Sequence, residues 1–188
     1  APRVITGTEQ FQGMRAYFYA ETDADISEVR YQSPSDKKHL LAKVGEDAVR
    51  VGFRYGISYI SVEQAKRNLE AEIPAWGFEA VKEQARRAWL DVMSQIQVKG
   101  GTPAQKRVFY TAMYHLMTSC SKFNDVDREY RGADGKVHKA DFTNYTTLSL
   151  WDTYRAAHPL MTVAFPEMQR DFAQTFLNIY KQQGRLPV

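Results

Sequence analysis

The chain has 188 residues, of which 44% are hydrophobic and 13% aromatic, enough apolar material for the core of one or two folded domains. Its 25 basic and 22 acidic residues give a formal net charge of +3. Both signs are interleaved, so no basic stretch indicates a nucleic-acid partner. Every apolar run is shorter than the roughly 18 residues that a membrane span needs. Cys120 is the only cysteine, which excludes an internal disulfide and a zinc site built on cysteines.

The first 60 residues alternate between apolar and polar positions, which is the pattern of β-strands. The alternation is clearest over residues 49–59, where we predict a long strand that buries its apolar face. Residues 15–21, 26–31 and 40–44 predict three further strands, separated by turns rich in Asp, Pro, Ser and Lys. We expect these strands to belong to an antiparallel sheet that is small for an independent sandwich.

After residue 60 the apolar spacing becomes helical. A capping box of Ser61 with Gln64 predicts a helix that ends at Pro74, and residues 78–96 predict a second, longer helix with one apolar stripe. A second capping box at residues 102–105 opens a third helix. The third helix is expected to turn these residues inward: Val108, Phe109, Ala112, Met113, Leu116 and Cys120.

Residues 121–142 show no sustained period. Because Asp134–Gly135 is a typical turn pair, we predict a long ordered loop or a small hairpin there. A further helix is predicted over residues 147–158, ended by Pro159, and a last one from Pro166 to a glycine cap at Gly184. Strands therefore come first and helices after, which predicts an α+β fold.

An acidic stretch in the long loop resembles the start of a calcium-binding EF-hand. Asp125, Asp127 and Glu129 occupy alternate positions, but the EF-hand pattern requires glycine where Tyr130 stands and glutamate where Lys136 stands. The EF-hand interpretation therefore fails. Acidic loop residues more often face solvent or cap turns, although a looser oxygen-ligand site is compatible with this spacing.

Other catalytic and nucleotide-binding patterns are not met. His115 and Cys120 lie five residues apart on one predicted helix, so they do not share a face, and Cys120 is interpreted as a core residue. His115, His138 and His158 lack metal-ligand spacing. The glycine pairs lack the strand-to-helix context of a phosphate-binding loop, so nucleotide chemistry is not expected.

Trp151 and Asp152 admit two interpretations. In the structural one, Trp151 packs between helices and Asp152 pairs with Arg155 or another surface cation. In the functional one, the indole stacks on the apolar face of a pyranose while the carboxylate accepts hydrogen bonds from two neighbouring hydroxyls. These residues alone do not decide between the two.

Four segments together resemble glycoside hydrolase family 92, the calcium-dependent exo-acting α-mannosidases. Three of them lie in the helical part: residues 109–115 (FYTAMYH), 124–138 (NDVDREYRGADGKVH) and 145–160 (YTTLSLWDTYRAAHPL). The fourth, residues 57–74 (ISYISVEQAKRNLEAEIP), resembles the junction between the two domains of that family. Several ordered motifs at consistent spacing make the resemblance specific.

The resemblance implies a β-sandwich, a helical linker and an (α/α)6 catalytic barrel. Residues 1–60 would then be the last part of the sandwich, residues 61–101 the linker and residues 102–188 the first barrel helices. Family members are inverting enzymes that hydrolyse terminal α-mannosides of glycans, α-1,2-linked ones among the candidates, with one carboxylic acid and one carboxylate base. A bound calcium, and a secreted or periplasmic location, are also implied.

The resemblance carries only substrate-binding residues over to this chain. Trp151 and Asp152 match the motif that holds the terminal mannose. Arg155 and the loop of Asp125 and Asp127 are further candidates for substrate binding, with building the pocket wall as the alternative role. The acid, the base and the calcium ligands of the family lie in motifs downstream of Val188, so no catalytic or metal residue is assigned. We therefore expect the isolated chain to be inactive and to need the remainder of its polypeptide.

A competing hypothesis is a non-catalytic carbohydrate-binding or scaffolding module. It predicts one compact domain, a stop codon near Val188 and sugar binding without turnover. The enzyme hypothesis predicts a longer reading frame.

Overall fold

The computed structural model of the chain describes residues 3–11, 13–35, 39–45 and 49–187. Within these residues every strand pair is antiparallel, and six helices follow the first five strands. The α+β prediction is therefore confirmed. The contacts group the chain into two compact units, Ala1–Gly77 and Phe78–Val188.

The first unit is built on a three-stranded sheet and a separate hairpin. The sheet has the order β1–β2–β5, with β1 at Val4–Phe11, β2 at Met14–Thr22 and β5 at Phe53–Ser58. The hairpin joins β3 at Ile26–Tyr31 to β4 at Leu40–Val44. The predicted strands at 15–21, 26–31 and 40–44 are confirmed, whereas β1 was not predicted because its Thr, Gly and Glu residues weaken the apolar alternation.

The prediction for residues 49–59 is wrong in length and in the face that is buried. The strand β5 has only six residues, and its apolar side chains Phe53, Tyr55 and Ile57 are 60%, 59% and 51% exposed. The buried positions are instead Gly56 and Ser58. The face with small side chains is covered because a helix lies directly against it.

That helix is α1, Val62–Glu72, which begins as predicted. The Ser61 hydroxyl accepts a hydrogen bond from the Gln64 amide at 3.1 Å, so the N-cap is confirmed. Among the described residues, only the Ser61 half of the capping box forms. The Gln64 side chain is buried, and its Nε2 atom has no hydrogen-bond partner in the described part of the chain.

The close approach of α1 to β5 depends on a glycine. A Cβ atom at Gly56 would lie 2.2 Å from the carbonyl oxygen of Ala65. Leu69 and Ala65 are almost completely buried at this contact, and the Asn68 side chain donates a hydrogen bond to the carbonyl of Ile57 at 2.8 Å. The sheet and α1 therefore share one interface, and the unit ends after α1.

The second unit contains five helices and two short antiparallel ladders. The helices are α2 (Phe78–Met93), α3 (Pro103–Thr118), α4 (Leu150–Thr153), α5 (Ala157–Ala164) and α6 (Pro166–Gln183). The strands β6 (Ser121–Lys122) and β9 (Tyr145–Thr146) pair, as do β7 (Glu129–Arg131) and β8 (Val137–Lys139). The boundary between the two units falls inside the predicted linker at 61–101, and the predicted three-part division stays a prediction.

The helices α2 and α3 begin as predicted but leave much apolar surface uncovered. Thr102 caps α3 in a complete capping box with Gln105. The expected inward face of α3 is wrong in part, because Met113 is buried whereas Val108 is 70% exposed. None of the residues of α2, all of which the structure describes, is buried.

The prediction of one helix over residues 147–158 is wrong. The structure forms the short α4, a turn, and then α5, which contains Pro159 at its third position. A proline is compatible with a first helical turn because the amide there has no acceptor within the helix. The core of this unit lies where α5 and α6 meet β9, around Tyr145, Met161 and Phe172.

Candidate functional site

The predicted sugar-binding residues lie on α4. The side chain of Trp151 is 81% exposed, so it does not pack between helices. Asp152 is also exposed and accepts a hydrogen bond from the Ser149 hydroxyl at 2.5 Å. Both side chains are thus presented to solvent from one short helix.

Arg155 does not form the ion pair that the structural interpretation expected. Its Nη2 atom donates to the Tyr154 hydroxyl at 3.3 Å, and its guanidinium lies 5.8 Å from the centre of that ring. Among the described residues no salt bridge joins Arg155 to Asp152. Internal packing of Trp151 within this chain is therefore not observed, and the sugar-binding assignment of Trp151, Asp152 and Arg155 stays a prediction.

Ser149 fixes the start of α4. Its carbonyl accepts hydrogen bonds from the amides of Asp152 and Thr153, both at 3.2 Å, and from the Thr153 hydroxyl at 2.9 Å. Its own hydroxyl is directed to the Asp152 carboxylate rather than to a helix amide. The carboxylate is thereby held by its own helix and keeps free acceptor positions for a ligand.

Chemically, an exposed indole beside an oriented carboxylate suits a polyhydroxylated ring. The apolar face of a pyranose can stack on the indole, and an ionised carboxylate forms charge-assisted hydrogen bonds with hydroxyl donors.

Asp125 and Asp127 organise the loop between α3 and α4. The backbone of Asp125 donates to the Glu129 carbonyl and accepts from the Arg128 amide, at 2.8 and 2.9 Å. The carboxylate of Asp127 accepts from the Glu129 amide at 3.2 Å. These contacts give both residues a role in shaping the loop, and their assignment to a pocket wall stays a prediction.

The predicted hairpin at Asp134–Gly135 is confirmed, because β7 and β8 pair on either side of it. Gly135 has a positive φ of 77°, which suits glycine. Hydrogen bonds from His138 and from the Lys136 amide hold the pKa of Asp134 below its usual value.

Sequence reasoning missed the residues of α6 that hold this loop. The Tyr145 amide donates to the Thr175 hydroxyl at 3.2 Å, and the buried Tyr130 hydroxyl accepts from Asn178 and Gln182 at 3.2 and 3.0 Å. The sequence did contain a signal for them. Asp171, Thr175, Asn178 and Gln182 follow one another at spacings of four, three and four, which places four polar side chains in a row along α6.

The calcium that the resemblance implies would need a cluster of side-chain ligands. Among the described residues, no group of three or more His, Cys, Asp or Glu side chains lies close enough together to hold a metal ion. The described side chains therefore do not fit a metal centre of that kind.

A groove lies between α2 and α3, and none of the predicted site residues lines it. This groove of about 370 Å³ is lined by Trp89, Met93, Arg107, Tyr110, Thr111 and Tyr114. The rings of Trp89 and Tyr114 lie 4.7 Å apart with an angle of 41° between their planes.

The sequence model of the glycosyl hydrolase family 92 catalytic domain matches residues 64–188, which is more than half of the chain. The chain belongs to glycosyl hydrolase family 92.

Two solved structures support this assignment. A family GH92 α-mannosidase from Bacteroides thetaiotaomicron superposes with a TM-score of 0.86 at 26% identity, covering 99% of this chain and 28% of that chain. A family GH92 inverting mannosidase from the same organism gives the same TM-score and identity, covering 98% of this chain and 28% of the other. This chain therefore spans little more than a quarter of the proteins it resembles.

A relative in the fungus Arthroderma benhamiae is described as an uncharacterized secreted glycosidase. It is 39% identical over 74 residues, which is 37% of this chain and 10% of the relative. Within the part of the chain that the structure describes, no helix has the length and apolar character needed to cross a membrane.

Proposed function

We propose that this chain is the section of an exo-acting α-mannosidase that holds the terminal mannose, with Trp151 and Asp152 as the binding residues. The observation that carries the proposal is their joint exposure on α4, within a fold shared with GH92 α-mannosidases. The first of the two Bacteroides thetaiotaomicron proteins also has a structure in complex with mannoimidazole. The substrate class is therefore a mannose-containing glycan.

The proposed role of each residue follows from its chemistry. Trp151 stacks on the apolar face of the ring and Asp152 accepts hydrogen bonds from two ring hydroxyls, while Arg155 borders the pocket. Hydrogen bonds that shorten as the ring distorts lower the barrier, whereas equal binding of ground and transition states does not. Ser149 keeps the Asp152 carboxylate aligned throughout.

The bond-breaking groups are proposed to lie in further polypeptide. An inverting mechanism needs one carboxylic acid and one carboxylate base separated by room for a water molecule. One related structure is described as an inverting mannosidase, which supports the same stereochemistry here. No residue of this chain is proposed as acid or base, and the linkage cleaved depends on the subsite of the neighbouring sugar.

Calcium and cell location are proposed on the same basis. We assign the calcium ligands to the remainder of the polypeptide, since the described side chains do not fit a metal centre. A secreted or periplasmic location is supported by the fungal relative that is described as secreted.

The test is the substitution of Asp152 and of Trp151 in the full-length gene product. Asp152→Ala should lower kcat/KM, because it removes charge-assisted hydrogen bonds. The loss should correspond to about 2 to 4 kcal/mol of transition-state stabilisation. Trp151→Ala should also lower kcat/KM while changing the unfolding free energy by less than about 0.5 kcal/mol, because the indole is exposed. Initial rates on a terminal α-mannoside measure both effects.

Asp91→Ala is the matched control, since it removes an exposed carboxylate on α2, outside the proposed site. Unchanged kinetics for Asp152→Ala would discard the assignment. Sugar binding without turnover by the full-length product would instead favour the non-catalytic carbohydrate-binding module.

A further inference from the structure

Four polar side chains form a row along one face of α6. Asp171, Thr175, Asn178 and Gln182 are spaced by four, three and four residues, so they lie above one another on the helix. We call this row the α6 stripe. Polar helix faces usually meet water, but Thr175 is fully buried and the other three are partly buried.

The N-terminal half of the α6 stripe holds the segment that precedes α4. The carboxylate of Asp171 accepts from the Thr143 amide at 3.0 Å, and the hydroxyl of Thr175 accepts from the Tyr145 amide at 3.2 Å. The Thr175 hydroxyl also donates to the Asp171 carbonyl at 2.9 Å. Both hydrogen-bonding functions of this buried hydroxyl are therefore used.

The C-terminal half of the α6 stripe holds the β7–β8 hairpin. The side-chain amides of Asn178 and Gln182 both donate to the Tyr130 hydroxyl, and the Gln182 carbonyl oxygen accepts from the Ala133 amide at 2.9 Å. A Cβ atom at Gly132 would lie 2.8 Å from that same oxygen. The hairpin is thus seated on α6 by direct, short-range contacts.

The bonds at Thr175 lead towards the proposed sugar-binding residues. Tyr145 stacks on Phe172 with ring centres 4.3 Å apart, and only four residues separate Tyr145 from the start of α4. Within those four, the Thr147 hydroxyl accepts from the Ser121 amide at 3.2 Å, and Ser149 binds Asp152. A shift of the Tyr145 backbone would therefore also move α4, because the four residues between them are held by hydrogen bonds.

We propose that Thr175 and Asp171 are positioning residues for the mannose site, which set the place of α4 through the backbone of residues 143–145. This rests on the proposed function of Trp151 and Asp152. Apolar side chains could fill the same space at lower desolvation cost, but they would not specify which backbone amide faces which turn of α6. The hydrogen bonds supply that register.

The first test uses the full-length gene product and needs no ligand. Thr175→Val keeps the side-chain shape but leaves the Tyr145 amide without its acceptor, whereas Thr175→Ser keeps the hydroxyl. In ¹⁵N–¹H spectra, the Trp151 indole and Asp152 amide signals should move in the Val variant and return towards wild type in the Ser variant. Thr162→Val is the control, because within the described part of the chain the Thr162 hydroxyl bonds only to the carbonyl of His158 in its own helix.

Unmoved Trp151 and Asp152 signals in a folded Thr175→Val variant would overturn the proposal. If that variant does not fold, Asp171→Ala provides the same measurement at a site nearer the surface, where the Thr143 amide loses its acceptor. Signal changes confined to residues 143–145 would also contradict it, since they would mean that α4 is placed by other contacts.

The second test is ligand binding at the proposed mannose site, with mannoimidazole as the probe in the full-length gene product. At temperatures where the protein is folded, Thr175→Val should raise the Kd roughly tenfold, the scale of one lost buried hydrogen bond. Thr175→Ser should restore most of the lost affinity. Binding that depends on Asp152 but not on Thr175 would overturn the positioning role alone. Binding that does not depend on Asp152 would instead contradict the proposed function. The spectra would then still show whether the α6 stripe determines the position of α4.

Discussion

Arg54 is the side chain that ties the sheet of the first unit to the end of α1. It forms a salt bridge with Glu21 at 2.6 Å, donates to the Ile73 carbonyl at 2.6 Å and lies 4.7 Å from the centre of the Trp76 ring. Both charged side chains of the pair are less than one-fifth exposed. One guanidinium therefore makes three separate contacts. The alternation over residues 49–59 puts Arg54 on the face opposite the apolar side chains, which is the face expected to meet solvent.

Arg54→Met should destabilise the chain by about 2 to 3 kcal/mol, because the buried Glu21 carboxylate loses its partner. Arg3→Met is the matched control, since Arg3 and Asp25 form an exposed pair with side chains 58% and 52% accessible, and such pairs contribute about 0 to 1 kcal/mol. Urea unfolding at neutral pH measures both variants. Equal losses would show that the Arg54 pair is no more important than a surface one.

The pH dependence of that difference follows from Glu21. Burial alone raises the pKa of Glu21, but hydrogen bonds from Arg54 and Tyr19 outweigh it and leave the pKa below its usual value. Because the folded-state pKa is lowered, the pair contributes its full stability above the pKa of the unfolded chain, about 4.3. The contribution is lost as the pH falls below that value, so wild type and Arg54→Met should converge in acid.

At the scale of single elements, β5 shows what alternation can and cannot predict. The pattern correctly grouped Phe53, Tyr55 and Ile57 on one face, because side chains alternate along any strand. It did not predict which face is buried, since that depends on a helix docking against the other side. The decisive residue is Gly56, whose missing side chain lets α1 approach.

Gly56→Ala should destabilise the first unit by more than 2 kcal/mol, roughly the cost of overpacking a core contact, because the new methyl group would meet the backbone oxygen of Ala65. Gly7→Ala is the comparison, since the three atoms nearest its Cβ would belong to the side-chain ring of Phe18 rather than to backbone, and a ring can take another rotamer. Thermal unfolding followed by circular dichroism compares them. A loss in Gly7→Ala as large as that in Gly56→Ala would contradict this account.

The helical region shows the same division between local signals and tertiary ones. Local chemistry predicted the caps at Ser61 and Thr102, the turn at Asp134–Gly135 and the αL glycine at Gly184, and all four are confirmed. The break between α4 and α5 was missed because a proline was interpreted as a helix end, whereas it lies in a first turn. The polar spacing of the α6 stripe is visible in the sequence, but its partners are backbone amides and the Tyr130 hydroxyl, 28 to 52 residues away, and no local pattern encodes them.

At the scale of the whole molecule, both units expose large apolar side chains. Phe78, Val108 and Val163 are 78%, 70% and 83% exposed, and the apolar face of β5 is open. Surfaces of this kind usually mark contacts with further polypeptide. They agree with a chain that spans 28% of the α-mannosidases it matches.

We therefore expect the isolated chain to self-associate at micromolar concentration. Light scattering after size-exclusion chromatography should give a mass above the 21.6 kDa of one chain, decreasing on dilution. A sharp peak at the monomer mass across a hundredfold range of concentration would show that these faces tolerate water.

The tethering of residues 121–146 has a consequence for how the chain is digested. Proteases cleave segments that unfold locally, and this loop carries exposed basic residues, among them Arg128 and Lys136, yet its backbone is bonded to itself and to α6. Lys99, by contrast, precedes two glycines with positive φ. Brief trypsin treatment should cut after Lys99 before it cuts the longer loop, so that peptide mapping would recover the loop and α6 together as one resistant fragment.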